Sequence, residues 1–220
     1  MELSYWQSRW RKGNIGFHMD QGYPGLKRHW GTLNIPENAT VLVPLCGKSA
    51  DMDWLAQRVE TVIGVETAEE AISQYFSERK LNPDKTAYSG FDIYSSGNIE
   101  LWLGDFFKFP ENRHSGYDLI YDKASLVALP EEMRVRYAKK ILSLSTGNTR
   151  YLLHHFLYDS AEMSGPPFMV SAQEINKLFS HKFSTTVLEE QDLDISNFPK
   201  FELRGLNRYL RERLLLLTPK

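Results

Sequence analysis

Short apolar segments alternate with amphipathic ones along the chain, which is typical of strands and helices that follow one another in an α/β sheet. A β-rich segment, TVLVPL at 40–45, precedes a segment at 51–59 whose apolar residues share one helical face. The next strand is predicted at 61–66, and Thr67 with Glu70 three positions later is the signature of a capping box for another helix. The core is therefore expected to open as β-α-β-α.

The alternation continues towards the C-terminus. Strands are predicted at 99–105, 117–122 and 150–156, and helices at 130–144 and 171–179, the second helix capped by Ser171. Two last strands, TTVLEEQD and YLRERLLLLTP, have no helical segment between them and are expected to pair antiparallel at one edge. Because strands separated by helices need crossovers, the expected fold is α/β, a doubly wound and mostly parallel sheet with an antiparallel edge strand.

Two segments lie outside this pattern. Residues 1–35 precede the first strand and contain two helical patterns, the first of which carries Trp6 and Trp10 four positions apart. Residues 82–97 are expected to form either an irregular insertion or an extra hairpin. No repeat or long linker divides the chain, so we predict one domain over 1–220 with 1–35 as a helical lid.

Composition and charge narrow the classes of function. The chain has 220 residues, 42% hydrophobic and 25% charged, as in ordinary water-soluble domains. The apolar run LLLL at 214–217 is far shorter than the about 20 residues that cross a bilayer. A formal net charge of −2 provides little field for holding a nucleic-acid backbone. The single cysteine, Cys46, and an N-terminus without an apolar signal core favour the cytoplasm, with neither nucleic acid nor membrane as a partner.

The turn after the first predicted strand indicates the kind of ligand. In doubly wound sheets this turn approaches the ligand most closely, but VLVPLCGKS has only Gly47 and matches neither the dinucleotide nor the phosphate-loop glycine pattern. Glu66 follows 19 residues later at a strand end, where a carboxylate can accept both hydroxyls of a ribose. These features suit a nucleoside without phosphates, and S-adenosylmethionine is a cofactor of this kind. Its adenine is expected near Asp105 and Phe106, which are otherwise a strand-terminating acid and a core ring.

Five segments carry a family resemblance. WQSRWRKGNIGFH, VLVPLCGKSADMDWLA, VIGVE, IYDKASLVAL and GPPFMV, in this order, resemble the thiopurine S-methyltransferase family, particularly its bacterial members. The resemblance implies a monomeric cytoplasmic enzyme with a Rossmann-like class I methyltransferase fold, which transfers a methyl group from S-adenosylmethionine to the sulfur of an aromatic or heterocyclic thiol. The implied cofactor contacts are Trp10, Leu45, Glu66 and Lys123, with Trp6, Phe17, Gly47, Asp105 and Phe106 as further candidates.

The chain departs from the family pattern at Lys123, where arginine is usual; lysine keeps the charge but loses the planar fork. Trp6, Trp10 and Phe17 are expected as a lid over the sulfonium, since an aromatic face attracts a cation. The alternative is that these rings pack the N-terminal helix onto the core, and the two roles are compatible.

The residues around the methyl acceptor are expected to act through charge and pocket shape and not through a metal. Displacement at a sulfonium methyl requires alignment and exclusion of water. Lys123 is the candidate charge beside an ionised acceptor, and Asp122 orients it, accepts a proton, or caps the following turn. Phe168 in the SGPPF loop is expected, with Phe17, to line the acceptor pocket. Selenium or tellurium compounds are further acceptor candidates.

Several alternatives remain open at this level. No metal site is expected, and His154 and His155 should point to opposite faces of a strand, one buried and one in a pocket or at the surface. Arg204 and Arg208 face either an anionic acceptor or solvent. The rival functions are a small-molecule O-methyltransferase and a nonenzymatic nucleoside-binding protein. A nicotinamide dehydrogenase is disfavoured because its tyrosine and lysine, four apart, have no match late in the sequence.

Overall fold

The computed structural model describes residues 3–113 and 116–220, in two compact units that comprise residues 1–121 and 122–220. The helices of the first unit are α1 (Leu3–Arg11), α2 (Pro24–Leu33), α3 (Asp51–Ala56) and α4 (Glu69–Glu78). Its strands are β1 (Thr40–Pro44), β2 (Thr61–Glu66), β3 (Asp84–Tyr88), β4 (Phe91–Ser96), β5 (Ile99–Leu103) and β6 (Leu119–Lys123), the last of which runs into the second unit.

The first unit is built on a sheet with the strand order β3-β4-β5-β2-β1-β6. Its centre is parallel: β1 pairs with β2 and β6, and β2 pairs with β5. The chain passes from β1 to neighbours on one side and later returns to β6 on the other side, so the strand order reverses at β1. This confirms the doubly wound arrangement and places the turn after β1 at the switch point, where such folds bind ligands.

Two local expectations in this unit have different outcomes. Residues 84–96 form an antiparallel hairpin at the sheet edge, which confirms the hairpin alternative. The capping box of Thr67 and Glu70 is wrong, because the N-cap of α4 is Ala68 and no side chain caps this helix. The backbone N–H groups of Thr67 and Ala68 instead donate to the Glu66 carboxylate, so a group from the preceding strand satisfies them.

The second unit contains the remaining elements. Its helices are α5 (Glu131–Leu144), α6 (Ala172–Phe179) and α7 (Pro199–Glu202), and its strands are β7 (Arg150–Tyr158), β8 (Phe183–Leu193) and β9 (Leu210–Pro219). Strand β9 lies between β7 and β8 and is antiparallel to both, which confirms the closing antiparallel pair. The capping of α6 is also confirmed, because Ser171 Oγ accepts the N–H of Glu174 at 3.1 Å.

The connection between β8 and β9 is not free of helix, contrary to the expectation. A 3-10 turn at Ile195–Asn197 and the one-turn helix α7 lie there, and Asp194 starts the first by accepting the N–H of Ser196. The segment was missed because one helical turn is too short to show hydrophobic periodicity. Within residues 3–113 and 116–220, no helix has the length and apolar character to span a membrane.

Candidate functional site

The turn after β1 is fixed by its own backbone and by the end of β2. Leu45 and Gly47 both have positive φ angles, 46° and 55°, a conformation that favours glycine and is strained for leucine. The N–H of Cys46 donates to the carbonyl of Val65 at 3.1 Å, and the N–H of Gly47 donates to Glu66 Oε2 at 2.9 Å. The strained turn is therefore held by consecutive hydrogen bonds to the neighbouring strand.

The Glu66 carboxylate is the centre of this arrangement. Its Oε1 accepts the N–H groups of Thr67 at 2.7 Å and Ala68 at 2.8 Å, in addition to the Gly47 bond on Oε2. Burial raises the pKa of Glu66 above its ordinary value, and the three backbone hydrogen bonds oppose that rise. A carboxylate has about four acceptor positions, so an additional donor, such as a ribose hydroxyl, can still be accepted.

The geometry fits a nucleoside better than a phosphate. The Gly47 N–H that a phosphate would use already donates to Glu66, and a buried carboxylate repels a second anion beside it. Lys48 is buried and forms an ion pair with Glu78, so its ammonium is not directed at a ligand as a phosphate-binding lysine would be. These contacts agree with the sequence expectation for the first turn.

Trp10 packs directly on this turn. Its side chain is 3% exposed, and a Cβ at position 47 would lie only 2.9 Å from Trp10 Cζ2, so the turn needs glycine at 47 for the ring to approach. The ring also belongs to a core cluster with Ala68 and Ala71. The packing alternative for the N-terminal helix is thus confirmed for Trp10, while a contact with a ligand remains a prediction.

Trp6 and Phe17 lie next to Trp10 in a different environment. The Phe17 ring meets both indoles edge to face, with centroids 5.6 Å from Trp6 and 5.8 Å from Trp10, and Phe17 is 38% exposed. The Nε1 atom of Trp6 is buried and has no hydrogen-bond partner in the part of the chain that the structure describes. A buried donor of this kind is costly unless it is satisfied, so an acceptor on a bound molecule would stabilise it.

Asp105 and Phe106 lie in different environments, the first partly exposed and the second buried. Asp105 is partly exposed and accepts the N–H of Phe107 at 3.0 Å. Phe106 is 2% exposed and stacks on Phe109, with an interplanar angle of 12°. The ring is therefore a core residue in this conformation, as the alternative interpretation expected, because the 3-10 turn at Phe106–Lys108 directs it into the apolar interior. The adenine contact expected of Asp105 stays a prediction.

Asp51 holds the first unit together at the same edge, and sequence reasoning missed it. Its carboxylate accepts the N–H of Tyr23 at 2.7 Å, the hydroxyl of Tyr121 at 2.9 Å and the hydroxyl of Ser49 at 3.2 Å, and the residue is 1% exposed. It thus connects the start of α2, the start of α3 and the middle of β6. Only its place in the first turn of a helix was visible in the sequence.

In the second unit, the Asp122 carboxylate is engaged in hydrogen bonds within the protein, and its role as a proton acceptor stays a prediction. The side chain is completely buried; Oδ1 accepts the N–H groups of Ser125 at 2.8 Å and Leu126 at 3.2 Å, and Oδ2 accepts the hydroxyls of Tyr137 at 2.7 Å and Tyr151 at 2.8 Å. All the usual acceptor positions are in use. Asp122 therefore shapes the turn that follows β6, as the capping alternative proposed.

Lys123 comes directly before a strained position, since Ala124 has a φ angle of 69°. Lys123 is partly exposed. Burial of His154 is the main cause of the lowered pKa of that histidine, and the charge of Lys123 lowers it too.

The expectation that one of the two histidines lies in a pocket or at the surface is wrong. Both are buried: His154 Nε2 lies 3.0 Å from Glu212 Oε2, and His155 Nδ1 lies 2.9 Å from the Val170 carbonyl.

Both arginines for which the sequence left an anionic acceptor or solvent open are exposed and contact other protein groups. Arg204 donates to the carbonyls of Ser164 and Pro166, and Arg208 pairs with Asp159 and Glu162.

Phe168, the predicted pocket residue of the SGPPF loop, is partly exposed and donates its N–H to the Val127 carbonyl at 2.6 Å. Within the described residues, no group of histidine, cysteine and acidic side chains has the arrangement of a metal site.

Comparison with known proteins identifies the family. A model of the thiopurine S-methyltransferase family matches residues 1–220. The chain belongs to this family. Thiopurine S-methyltransferase of Pseudomonas fluorescens strain SBW25 is 40% identical over 218 residues, 99% of each chain, and that of Azotobacter vinelandii strain DJ is 41% identical over 217 residues, also 99% of each chain. The family resemblance found in the sequence is confirmed.

Solved structures show the same fold at low identity. A SAM-dependent methyltransferase from Anabaena variabilis has a TM-score of 0.68 at 13% identity, over 99% of this chain and 95% of that one. A second match is the Burkholderia thailandensis 1,6-didemethyltoxoflavin-N1-methyltransferase, solved with 1,6-didemethyltoxoflavin and S-adenosylhomocysteine. It has a TM-score of 0.62 at 15% identity, over 98% of this chain and 87% of that one. The Rossmann-like methyltransferase fold expected for the family is therefore confirmed.

Proposed function

We propose that the chain is an S-adenosylmethionine-dependent methyltransferase that methylates the sulfur of aromatic or heterocyclic thiols, thiopurines among them. The observation that carries this proposal is the full-length family match, with relatives named thiopurine S-methyltransferase at about 40% identity. The first turn supports it independently, because its single glycine and the buried Glu66 carboxylate suit a nucleoside without phosphates.

The residues of the first unit would hold the cofactor. Glu66 accepts hydroxyls of the ribose, Leu45 and Gly47 bring the turn close to it, and Trp10 closes one side of the turn. Trp6 and Phe17 are proposed to face the sulfonium end, where their rings attract positive charge and exclude water. When bound, S-adenosylmethionine supplies a methyl group on a sulfonium, which is electrophilic without help from a metal.

The chain's contribution to the reaction is then orientation and charge. An ordinary thiol has a pKa of about 8.5 and is only partly ionised at neutral pH, so a nearby cation increases the nucleophilic thiolate. Lys123 is proposed to provide that charge, and Phe168 to orient the aromatic ring of the acceptor. Asp122 contributes by fixing the backbone beside Lys123 through its bonds to Ser125 and Leu126.

Several further properties belong to the same proposal. We infer that residues 1–220 act as one domain with 1–35 as its lid, and that the protein is a cytoplasmic monomer. The compartment is supported by the single cysteine, because Cys46 is free and buried. Selenium or tellurium compounds are proposed as additional acceptors, since a selenol is more acidic than a thiol and more ionised at neutral pH.

The test combines binding with turnover. Calorimetry should show S-adenosylmethionine and S-adenosylhomocysteine binding to one site, and methyl transfer should occur to thiophenol and 6-mercaptopurine and exceed transfer to the matched phenol. Preferential methylation of the phenol would instead establish an O-methyltransferase. Binding without turnover on any thiol, phenol or selenite would indicate a nonenzymatic nucleoside-binding protein. Sedimentation at several concentrations tests the monomer.

A further inference from the structure

Two loops of the second unit, residues 159–168 and 203–208, are fastened to each other at several points. Gly205 has a φ angle of 104°, and a Cβ there would lie 2.7 Å from the Glu162 carbonyl oxygen, so the backbones approach closely. Glu162 Oε2 in turn accepts the N–H groups of Asn207 at 3.0 Å and Arg208 at 3.2 Å. The 203–208 loop thus has a defined position against 159–168.

The tip of the first loop, residues 164–168, is held through its carbonyl groups. Proline has no N–H, so Pro166 and Pro167 can be held by backbone hydrogen bonds only through their carbonyl groups. Arg204 Nη1 donates to the Pro166 carbonyl at 2.8 Å, and its Nη2 donates to the Ser164 carbonyl. The Tyr158 hydroxyl donates to the Pro167 carbonyl at 2.6 Å. Two side chains therefore hold three carbonyl groups of the tip, those of Ser164, Pro166 and Pro167.

The backbone of this tip determines where the Phe168 ring lies. A Cβ at position 165 would fall 2.3 Å from Phe168 Cγ, so the ring folds back over Gly165 and follows that backbone. The Phe168 N–H is fixed to the Val127 carbonyl, and the guanidinium of Arg134 lies 5.9 Å from the ring centroid. Any shift of the tip is thus transmitted directly to the ring.

We propose that Arg204 is a positioning residue for acceptor specificity: its guanidinium clamps the 164–168 tip and so sets the place of the Phe168 ring against the acceptor. This deepens the proposed function and rests on it. Arg204 does not contact the acceptor in this proposal. A single planar fork spans two carbonyls, which a lysine at this position would not do.

The experiment compares three variants of the intact chain. Arg204→Gln removes the fork, Arg204→Lys keeps only a point charge, and Arg208→Gln is the matched control, because Arg208 lies in the same loop but pairs with Asp159 and Glu162 instead of the tip. The probes are 6-mercaptopurine as acceptor and S-adenosylmethionine as donor. Hydrogen exchange of the Phe168 amide gives a readout that does not depend on turnover.

For Arg204→Gln, KM for 6-mercaptopurine should rise about fivefold to tenfold with kcat little changed, because the competent tip becomes a minor fraction of the ensemble. Arg204→Lys should be intermediate, Arg208→Gln should match wild type, and the dissociation constant of S-adenosylmethionine should stay constant. Phe168 exchange should accelerate only in the Arg204 variants. The proposal is overturned if Phe168 exchange or KM is unchanged in Arg204→Gln, or if Arg208→Gln has the same effect. Absence of transfer by the wild type would refute the proposed function separately, and the exchange result would still decide the clamp.

Discussion

The backbone N–H of Gly47 donates to Glu66 Oε2 across 19 positions of sequence, at 2.9 Å. This bond joins the turn after β1 to the end of β2, so the residue expected to bind the ribose also fixes the turn that approaches it. Cofactor affinity and the local conformation of the turn are consequently coupled, and substitutions at either residue should affect both.

Glu66→Gln should weaken S-adenosylmethionine binding by at least about tenfold, because the amide loses acceptor capacity and places an N–H₂ against backbone donors. Calorimetry measures the change. Glu69→Gln is the matched control, since Glu69 is an exposed carboxylate at the start of α4. An unchanged dissociation constant for Glu66→Gln would refute the ribose assignment.

Gly47→Ala should lower stability by about 1–3 kcal/mol and weaken cofactor binding, because the new methyl group meets Trp10 and the φ angle of 55° is unfavourable for alanine. Urea unfolding and calorimetry measure the two effects. Gly31→Ala is the control: it lies in α2 with nothing within 4 Å of an added Cβ, so alanine should be neutral or stabilising. Equal behaviour of both variants would contradict the close packing on the turn.

Asp122→Asn should lower the free energy of unfolding by about 1–3 kcal/mol, since an amide cannot accept all four hydrogen bonds that the carboxylate accepts. The pH profile of kcat should keep its wild-type shape if these four hydrogen bonds leave the Asp122 carboxylate no position for a substrate proton. Tyr151→Phe removes one of the donors and should show a smaller loss of stability. Disappearance of an ionisation from the kcat profile of Asp122→Asn would show that Asp122 acts as a base.

Lys123→Ala should reduce kcat/KM about tenfold for a thiol with an ordinary pKa, which corresponds to about one pKa unit of thiolate stabilisation. The loss should be smaller for an acidic aromatic thiol that is already ionised. Lys123→Arg keeps the charge and should retain most of the activity. A uniform loss for both thiols would indicate that Lys123 positions the acceptor and does not act through charge.

Acid should destabilise the protein through His155. Burial, with smaller contributions from the neighbouring charges of His154 and Arg213, lowers the pKa of His155 to about 4, and the hydrogen bond to the Val170 carbonyl and the charge of Glu190 oppose this shift. The unfolded state therefore binds more protons between about pH 6.5 and pH 4, so stability falls as the pH decreases through this window. Protonation also adds an N–H at Nε2, which has no partner among the residues that the structure describes.

The free energy of unfolding should fall by on the order of 3 kcal/mol through His155 once the pH has decreased across the whole window. Unfolding by urea at a series of pH values measures it. His155→Phe should flatten the slope between pH 6.5 and pH 4, whereas the exposed His181 provides the control substitution His181→Gln. An unchanged slope in His155→Phe would assign the acid sensitivity to other groups.

The sequence predicted most elements because they carry strong local signals. The strand at 61–66 has the predicted bounds, and Ser171 caps α6 as expected, since apolar runs and cap residues act over a few positions. The capping box at Thr67 failed because the Glu66 carboxylate, which is also bonded to the distant Gly47 N–H, accepts the Thr67 N–H that the Glu70 side chain would have needed. Local patterns do not record such competition.

The candidate site was predicted less completely. The glycine pattern of the first turn and the spacing to Glu66 were visible because they are fixed by the βα unit. The burial of Phe106, by contrast, depends on the ring of Phe109. The role of Asp122 depends on Tyr137 and Tyr151, from α5 and β7. Contacts between elements that are distant in the chain have no local signature.

By itself, the sequence determined the alternation of strands and helices, the absence of phosphate glycines in the first turn, and the family. Tertiary structure alone decided that Asp122 is saturated with hydrogen bonds, that both His154 and His155 are buried, and that Arg204 donates to the carbonyls of a proline loop. The physical reason is that periodicity and turn chemistry are properties of neighbouring residues, whereas burial and hydrogen-bond saturation arise only when separate elements meet.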